Sequence, residues 1–477
     1  MTRDSPFPAP EPGPDRRPLT GVLTAVTAGH LGTAIALVTL PWFVLVSTGS
    51  ATATGLAAFC ELVPYVLGKG LGGGLVDRHG ARAVSWTTDA ASALAAGLIP
   101  LLHWLSLLPL PVLLVLVAMT GAVRGPGDLA KDVLLPDTAD RAGVPIERAT
   151  GLLGAVHRLA DTAGPALGGL LTALTGPLTG LAVNAASFAL GALLIALLPD
   201  PVGRPAPAPT TPPTIAAPTT APLTATPPTT APLITAPLTA TPERPSRAQG
   251  LAFLRTQPLL LLLTLLVSFT NLVDAALTGV LLPVWARESG HGPAGIGLAG
   301  SAFGLTALLG SLLAAAVGPR LPRRPVLFLG HLLAGAPPFL VLALDAPLGL
   351  VLAVFALGGC GAGFINPVVG AVLLERTPRH LLGRVRAVRD SVVWAGIPLG
   401  GLLGGLAVTT AGTTPTLLTA AALSTLAVLL AALHPAWPHL DRTPSDTPPR
   451  PHPCTRPPYR PTRPSDRRTL PDLTPIR

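Results

Sequence analysis

Two apolar runs constrain this chain more than any other feature. VLTAVTAGHLGTAIALVTLPWFVLV (22–46) and LLLLLTLLVSFTNLVDAALTGVLLPVW (259–285) each exceed the roughly 20 residues that cross a bilayer core. Only 12% of the 477 residues are charged, about half the usual share for a soluble domain. The first run is too long for the signal-peptide core of roughly 7–15 residues, so it is expected to remain as a span. Comparable segments bounded by Pro, Gly and charge predict about twelve membrane helices. These are 19–46, 52–76, 82–106, 109–131, 149–175 and 178–199, then 257–286, 293–318, 324–344, 347–374, 385–409 and 414–433.

A Pro/Thr/Ala tract separates the two sets of six. It contains too little apolar side chain to offset the entropy of ordering, so a disordered linker is expected over 201–247. The domain plan is therefore a polar tail (1–18), a six-helix bundle (19–200), the linker, a second bundle (248–433) and a Pro/Arg-rich disordered tail (434–477). The connections alternate in charge. Arg287 is the only Lys or Arg in the odd-numbered ones, whereas every even-numbered one holds at least two arginines. By the positive-inside rule both termini and the even connections face the cytoplasm of a multi-pass plasma-membrane protein.

The net charge of +9 sits mostly in these loops and tails, which argues against nucleic acid as a partner. No G-x-x-x-x-G-K-[ST] loop occurs, which disfavours a nucleotide-driven pump. No H-E-x-x-H, G-x-S-x-G or metal-ligand spacing points to an enzyme. The three cysteines form no disulfide framework or metal pattern, so no cofactor or metal is expected.

The two halves repeat. GLAAFCELVPYVLGKGLGGGLVDRHGARAV (55–84) aligns without gaps on GLAGSAFGLTALLGSLLAAAVGPRLPRRPV (297–326), with nine of thirty positions identical. The pairs include Gly55/Gly297, Gly68/Gly310, Arg78/Arg320 and Arg82/Arg324. A weaker echo joins 148–169 to 381–405. Such a six-plus-six plan suits a protein whose halves rock about a midplane site.

Two segments carry a family resemblance. GGLVDRHGAR (73–82) resembles the major facilitator signature between spans 2 and 3, G-x-L-A-D-R-x-G-R-K. Gly73, Leu75, Asp77, Arg78, Gly80 and Arg82 match it, while Val76 and Ala81 depart. GLLGAVHRLADTAGPALGG (151–169) resembles the span-5 antiporter signature at Gly151, Gly164, Pro165, Gly168 and Gly169, and Arg124 resembles the arginine of the span-4 motif. Finer detail, including ERTPRHLLGRVRAV and IPLGGLLGG, resembles the macrolide-efflux and enterobactin-exporter-like branch.

The resemblance implies the major facilitator fold and secondary active export of an amphipathic small molecule by proton antiport. The proton gradient would supply the energy, with no cofactor, and the protein would act as a monomer in the bilayer. It also implies that Asp77 latches the cytoplasmic side against Arg384 or Arg386 in one transport state. Export of a siderophore is the alternative within transport, and a non-transporting scaffold or receptor is the alternative outside it.

Charges inside spans sharpen the expectation, since each costs at least ~2.5–3.5 kcal/mol at mid-membrane unless paired or hydrated. The proton or substrate candidates are Glu61, Asp89, Arg124, Asp128, Arg158, Asp161 and Asp274. Arg124/Asp128 and Arg158/Asp161 are spaced to pair along one helix face. Within their own helices Glu61 has only Lys69 and Asp274 only Asn271. These two carboxylates are the preferred carriers, because a carboxylate there can exchange its charge for a proton.

Overall fold

The computed structural model describes residues 15–199, 202 and 247–441. Among these, every regular element is helical. Twelve rods follow in chain order. The first half holds α1 (Arg17–Thr48), α2 (Ala51–Leu71), α3 (Ala81–Trp104), α4 (Leu110–Arg141), α5 (Ile146–Thr175) and α6 (Pro177–Ala196). The second holds α7 (Pro258–Glu288), α8 (Gly292–Val317), α9 (Arg323–Ala343), α10 (Leu348–Arg376), α11 (Leu382–Ala411) and α12 (Thr413–Leu433). Ten are long and apolar enough to cross a membrane. The other two, α3 and α5, have the length but carry more polar residues.

Local chemistry sets the breaks. Gly49 (φ 68) closes α1, and the Ser50 hydroxyl then accepts from the Ala53 N–H at 3.2 Å to start α2. Inside α7, a π turn over Leu277–Leu281 begins three residues after Asp274. The outward faces are greasy: Leu94 is 66%, Leu312 60% and Leu430 59% exposed. A soluble protein would not tolerate so much bare apolar surface. Such a surface suits a lipid environment.

Backbone contacts give the repeat a physical form. On α4, a Cβ at Gly121 would lie 2.0 Å from the Glu61 carbonyl oxygen, and on α10 one at Gly359 would lie 2.1 Å from that of Phe303. Gly125 meets the Tyr65 oxygen and Lys69 nitrogen, while Gly363 meets those of Ala307 and Ser311. Glu61/Phe303, Tyr65/Ala307 and Lys69/Ser311 are the pairs set by the gapless alignment of Gly55 on Gly297. The α2–α4 and α8–α10 pairs therefore pack in the same register. Only glycine lets these backbones touch.

The halves meet along two seams, α2 against α11 and α5 against α8. Thr52 Oγ1 lies 2.7 Å from Thr409 Oγ1, and the Arg287 guanidinium donates to the Leu45 carbonyl at 3.1 Å. Both contacts sit at the arginine-poor end. Farther in, Ser301 donates to the Thr162 carbonyl and accepts from the Ala166 N–H, each at 2.8 Å.

One expected boundary changes. Most of the linker and tail lie outside the described residues, and a helix (Arg247–Thr256) starts within one residue of the expected beginning of the second bundle. Residues 434–441, expected as the start of the tail, pack onto the second half instead. Trp437 and Leu440 are buried, and Arg324 pairs with Asp441 at 2.8 Å. Arg324 and Arg376 also donate to the Pro438 and His439 carbonyls. Two large apolar side chains among Pro and Arg are enough to anchor this segment, because each fully buried one contributes roughly 1.5–3 kcal/mol.

Candidate functional site

Charge inside the first half forms one connected network. Because Gly121 draws α4 onto α2, Arg124 reaches Glu61 at 3.4 Å. Its guanidinium also lies 3.6 Å from Asp128, one turn along, and sits 4.3 Å over the Tyr65 ring. Tyr65 donates its hydroxyl proton to Asp128 at 3.2 Å. Lys131, almost wholly buried, donates to Asp89 at 2.7 Å and lies 3.9 Å from Asp128. Three carboxylates thus face two cations, leaving one negative charge in excess.

A cavity of about 330 Å³ opens onto this network. His30 and His157, with ring centroids 4.0 Å apart, line it with Lys69, Asp132 and Asp161. Trp394 reaches it from α11, in the other half. This space lies between the halves, beside charges that are paired but not locked, since the Arg124 contacts are long for charge-assisted hydrogen bonds.

The family model of the Major Facilitator Superfamily matches residues 22–273 and 264–464. This chain belongs to the Major Facilitator Superfamily. It is a multi-pass membrane protein of that transporter family. It is 30% identical over 441 residues to the multidrug efflux pump Tap of Mycobacterium tuberculosis, covering 90% of this chain and 96% of that protein. Tap of Mycolicibacterium fortuitum is 28% identical over 394 residues, covering 82% and 89%. The crystal structure of the nucleoside transporter NupG superposes with a TM-score of 0.65 at 13% identity, covering 87% of this chain and 98% of that one. That likeness concerns the fold alone.

The superfamily signatures occupy distinct places. In span 5, Gly164 and Gly168 press α5 against Ala34 and Ile35 of α1, while Pro165 and Gly169 press it against Gly297 of α8. Gly151 faces open space. In the turn after α2, a Cβ at Gly72 would press on Gly68 and Pro126, whereas one at Gly73 or Gly74 would meet nothing within 4 Å. Gly80 turns the chain at φ 85, and Arg82 donates to the Ala196 carbonyl at the end of α6 at 2.8 Å. Leu75, Asp77 and Arg78 are exposed. Asp77 forms no ion pair among the described residues. In this conformation Arg384 instead binds Gln249, and Arg386 lies 3.8 Å from Asp390.

Two pairings differ from expectation. Glu61 is partnered by Arg124, not left with Lys69, which lies about 12 Å farther along α2. Arg158 and Asp161 are exposed and form no ion pair among the described residues; only Asp161 lines the cavity. The site residues Lys131, Asp132, Tyr65, His157 and Trp394 were missed. The expected span stopped at 131, but α4 runs to Arg141. The Asp128/Lys131 spacing of i, i+3 was the available signal. Asp274 lies elsewhere, in a cavity of the second half.

Proposed function

We propose that this chain exports amphipathic small molecules in exchange for protons, with its arginine-rich end in the cytoplasm. The observation that carries the reading is the likeness to a multidrug efflux pump over nearly the full length of both proteins. The network supports the coupling. With one carboxylate more than it has cations, it gains a proton without creating uncompensated charge, and its long contacts allow the pairs to re-sort. Glu61 and Asp89 each have one cation partner, and the Glu61 contact at 3.4 Å is longer than the 2.7 Å of Asp89, so Glu61 is the member assigned to carry the proton in the first half.

The seams support alternating access. With the arginine-poor end joined through Thr52–Thr409 and Arg287–Leu45, this conformation corresponds to a state open toward the cytoplasm. The Asp77 latch then belongs to the opposite state. Asp77→Asn is expected to slow transport at least about tenfold, since the roughly 1.5–3 kcal/mol of a hydrogen bond to a charged group corresponds to roughly 10–150-fold. Substrate binding to the present state should be unchanged, as measured on purified protein. An equal loss of binding would show that Asp77 does not act as a gate.

Inverted vesicles carrying the full chain test the function itself. An imposed gradient, acid inside, should drive uptake of some members of a panel of amphipathic dyes and antibiotics, and a protonophore should collapse it. Uptake that is insensitive to the gradient, or absent across the panel, would remove the reading.

A further inference from the structure

The second half holds a cavity of about 270 Å³ whose lining includes Asp274, Asn271, His331, Asn366, Phe303 and Phe339. Asp274 forms no ion pair among the described residues, and no Lys or Arg lines the cavity. His331 engages the Leu327 carbonyl through Nδ1 at 2.8 Å and is held by its own helix.

The repeat explains what is missing. The glycine contacts that match α2–α4 to α8–α10 place Phe303 where Glu61 stands and Ala362 where Arg124 stands. The same registers place Asn366 at Asp128 and His331 at Asp89. Phe303, Ala362, Asn366 and His331 all line this cavity. It is therefore the counterpart of the first half's network, with the guanidinium reduced to a methyl group and the lost volume left open. Asp274 adds a carboxylate from α7. In the first half the cation rests over an aromatic ring, at Tyr65; here Phe303 and Phe339 supply rings.

We propose that this cavity binds an organic cation, the ammonium head of an amphipathic molecule, which takes the place of the absent guanidinium and pairs with Asp274. A carboxylate inside a membrane requires a counter-charge. A proton would suffice, but it needs neither the space nor the rings. Aromatic faces attract quaternary ammonium groups. The volume falls just below the roughly 300–1,000 Å³ of a drug-sized site, so it accommodates a head group while the body of the molecule lies outside. The inference rests on the export reading and narrows its cargo to cationic amphiphiles.

Benzyltrimethylammonium is a suitable probe because it cannot lose its charge. Titrated calorimetrically into the full chain in nanodiscs, it should bind the wild type. Binding should weaken at least tenfold in Asp274→Asn and persist in Asp274→Glu. Ala362→Arg, which restores the internal cation, should abolish it. Melting temperature and elution profile identify folded variants. No binding to the wild type, or equal binding to folded Asp274→Asn, overturns the proposal. Binding without gradient-driven uptake of any compound would remove the export reading but leave the cation site. Uptake with no cation binding would do the reverse.

Discussion

Replacing Arg124 with leucine is expected to abolish gradient-driven transport and to lower the melting temperature sharply. Arg124 balances both Glu61 and Asp128 in a largely buried setting, where its side chain is 12% exposed. Removing one partner of a buried ion pair costs about 3–5 kcal/mol, because the remaining charge is left uncompensated. Here two carboxylates would lose their main cation, and Lys131 alone, already 2.7 Å from Asp89, would face three. Combining Arg124→Leu with Glu61→Gln should recover about half of the lost stability, since the excess charge returns to its original value. It should not recover transport, because the titrating pair is gone. Thermal melting in a membrane mimetic and uptake into inverted vesicles measure the two effects. Normal uptake by Arg124→Leu would remove the network from the mechanism.

Gly55→Val is expected to block transport while leaving each half folded. A Cβ at Gly55 would sit 2.2 Å from the Gly401 carbonyl oxygen and 2.9 Å from its carbon. Neither atom can retreat, because both are helix backbone. The α2–α11 seam could then not close at the arginine-poor end, and the protein would be held open there. Gly55 lies outside the α2–α4 contact made by Gly121 and Gly125, so packing within the first half should survive. Cysteine placed at Thr52, which is hydrogen-bonded across the seam, should become reactive toward a membrane-impermeant reagent added from outside. Gly349→Ala is the control: nothing lies within 4 Å of its Cβ position, and surface changes of this kind stay within about ±0.5 kcal/mol. A Thr52 position that stays shielded in Gly55→Val would show that the seam does not seal the protein.

Much of this molecule was legible in one dimension. Span length follows from bilayer thickness, and the arginine asymmetry follows from the membrane's two sides. The signature glycines marked where helices press together, as Gly164 and Gly169 do. Charge pairing was legible only within a helix. Arg124/Asp128 was readable because i, i+4 residues share a face. Glu61–Arg124 and Asp89–Lys131 were not, since their members lie 63 and 42 residues apart. Lys131 was the last residue of the expected span, where a lysine is unremarkable at the bilayer edge, yet the whole of α4 runs 32 residues, roughly 48 Å at 1.5 Å per residue.

Reading along the chain was enough to mark the twelve helical rods, the two repeated halves and the costly charges inside them. These are consequences of hydrophobic run length, composition and register, all local along the chain. Which charges neutralise each other, and which forms no ion pair among the described residues, was fixed by packing in three dimensions. That depends on glycines where a Cβ would clash with the neighbouring backbone, which bring α4 onto α2 and α10 onto α8. The same contact geometry yields a filled charge network in one half and an open cavity beside Asp274 in the other, because an arginine in the first repeat is an alanine in the second.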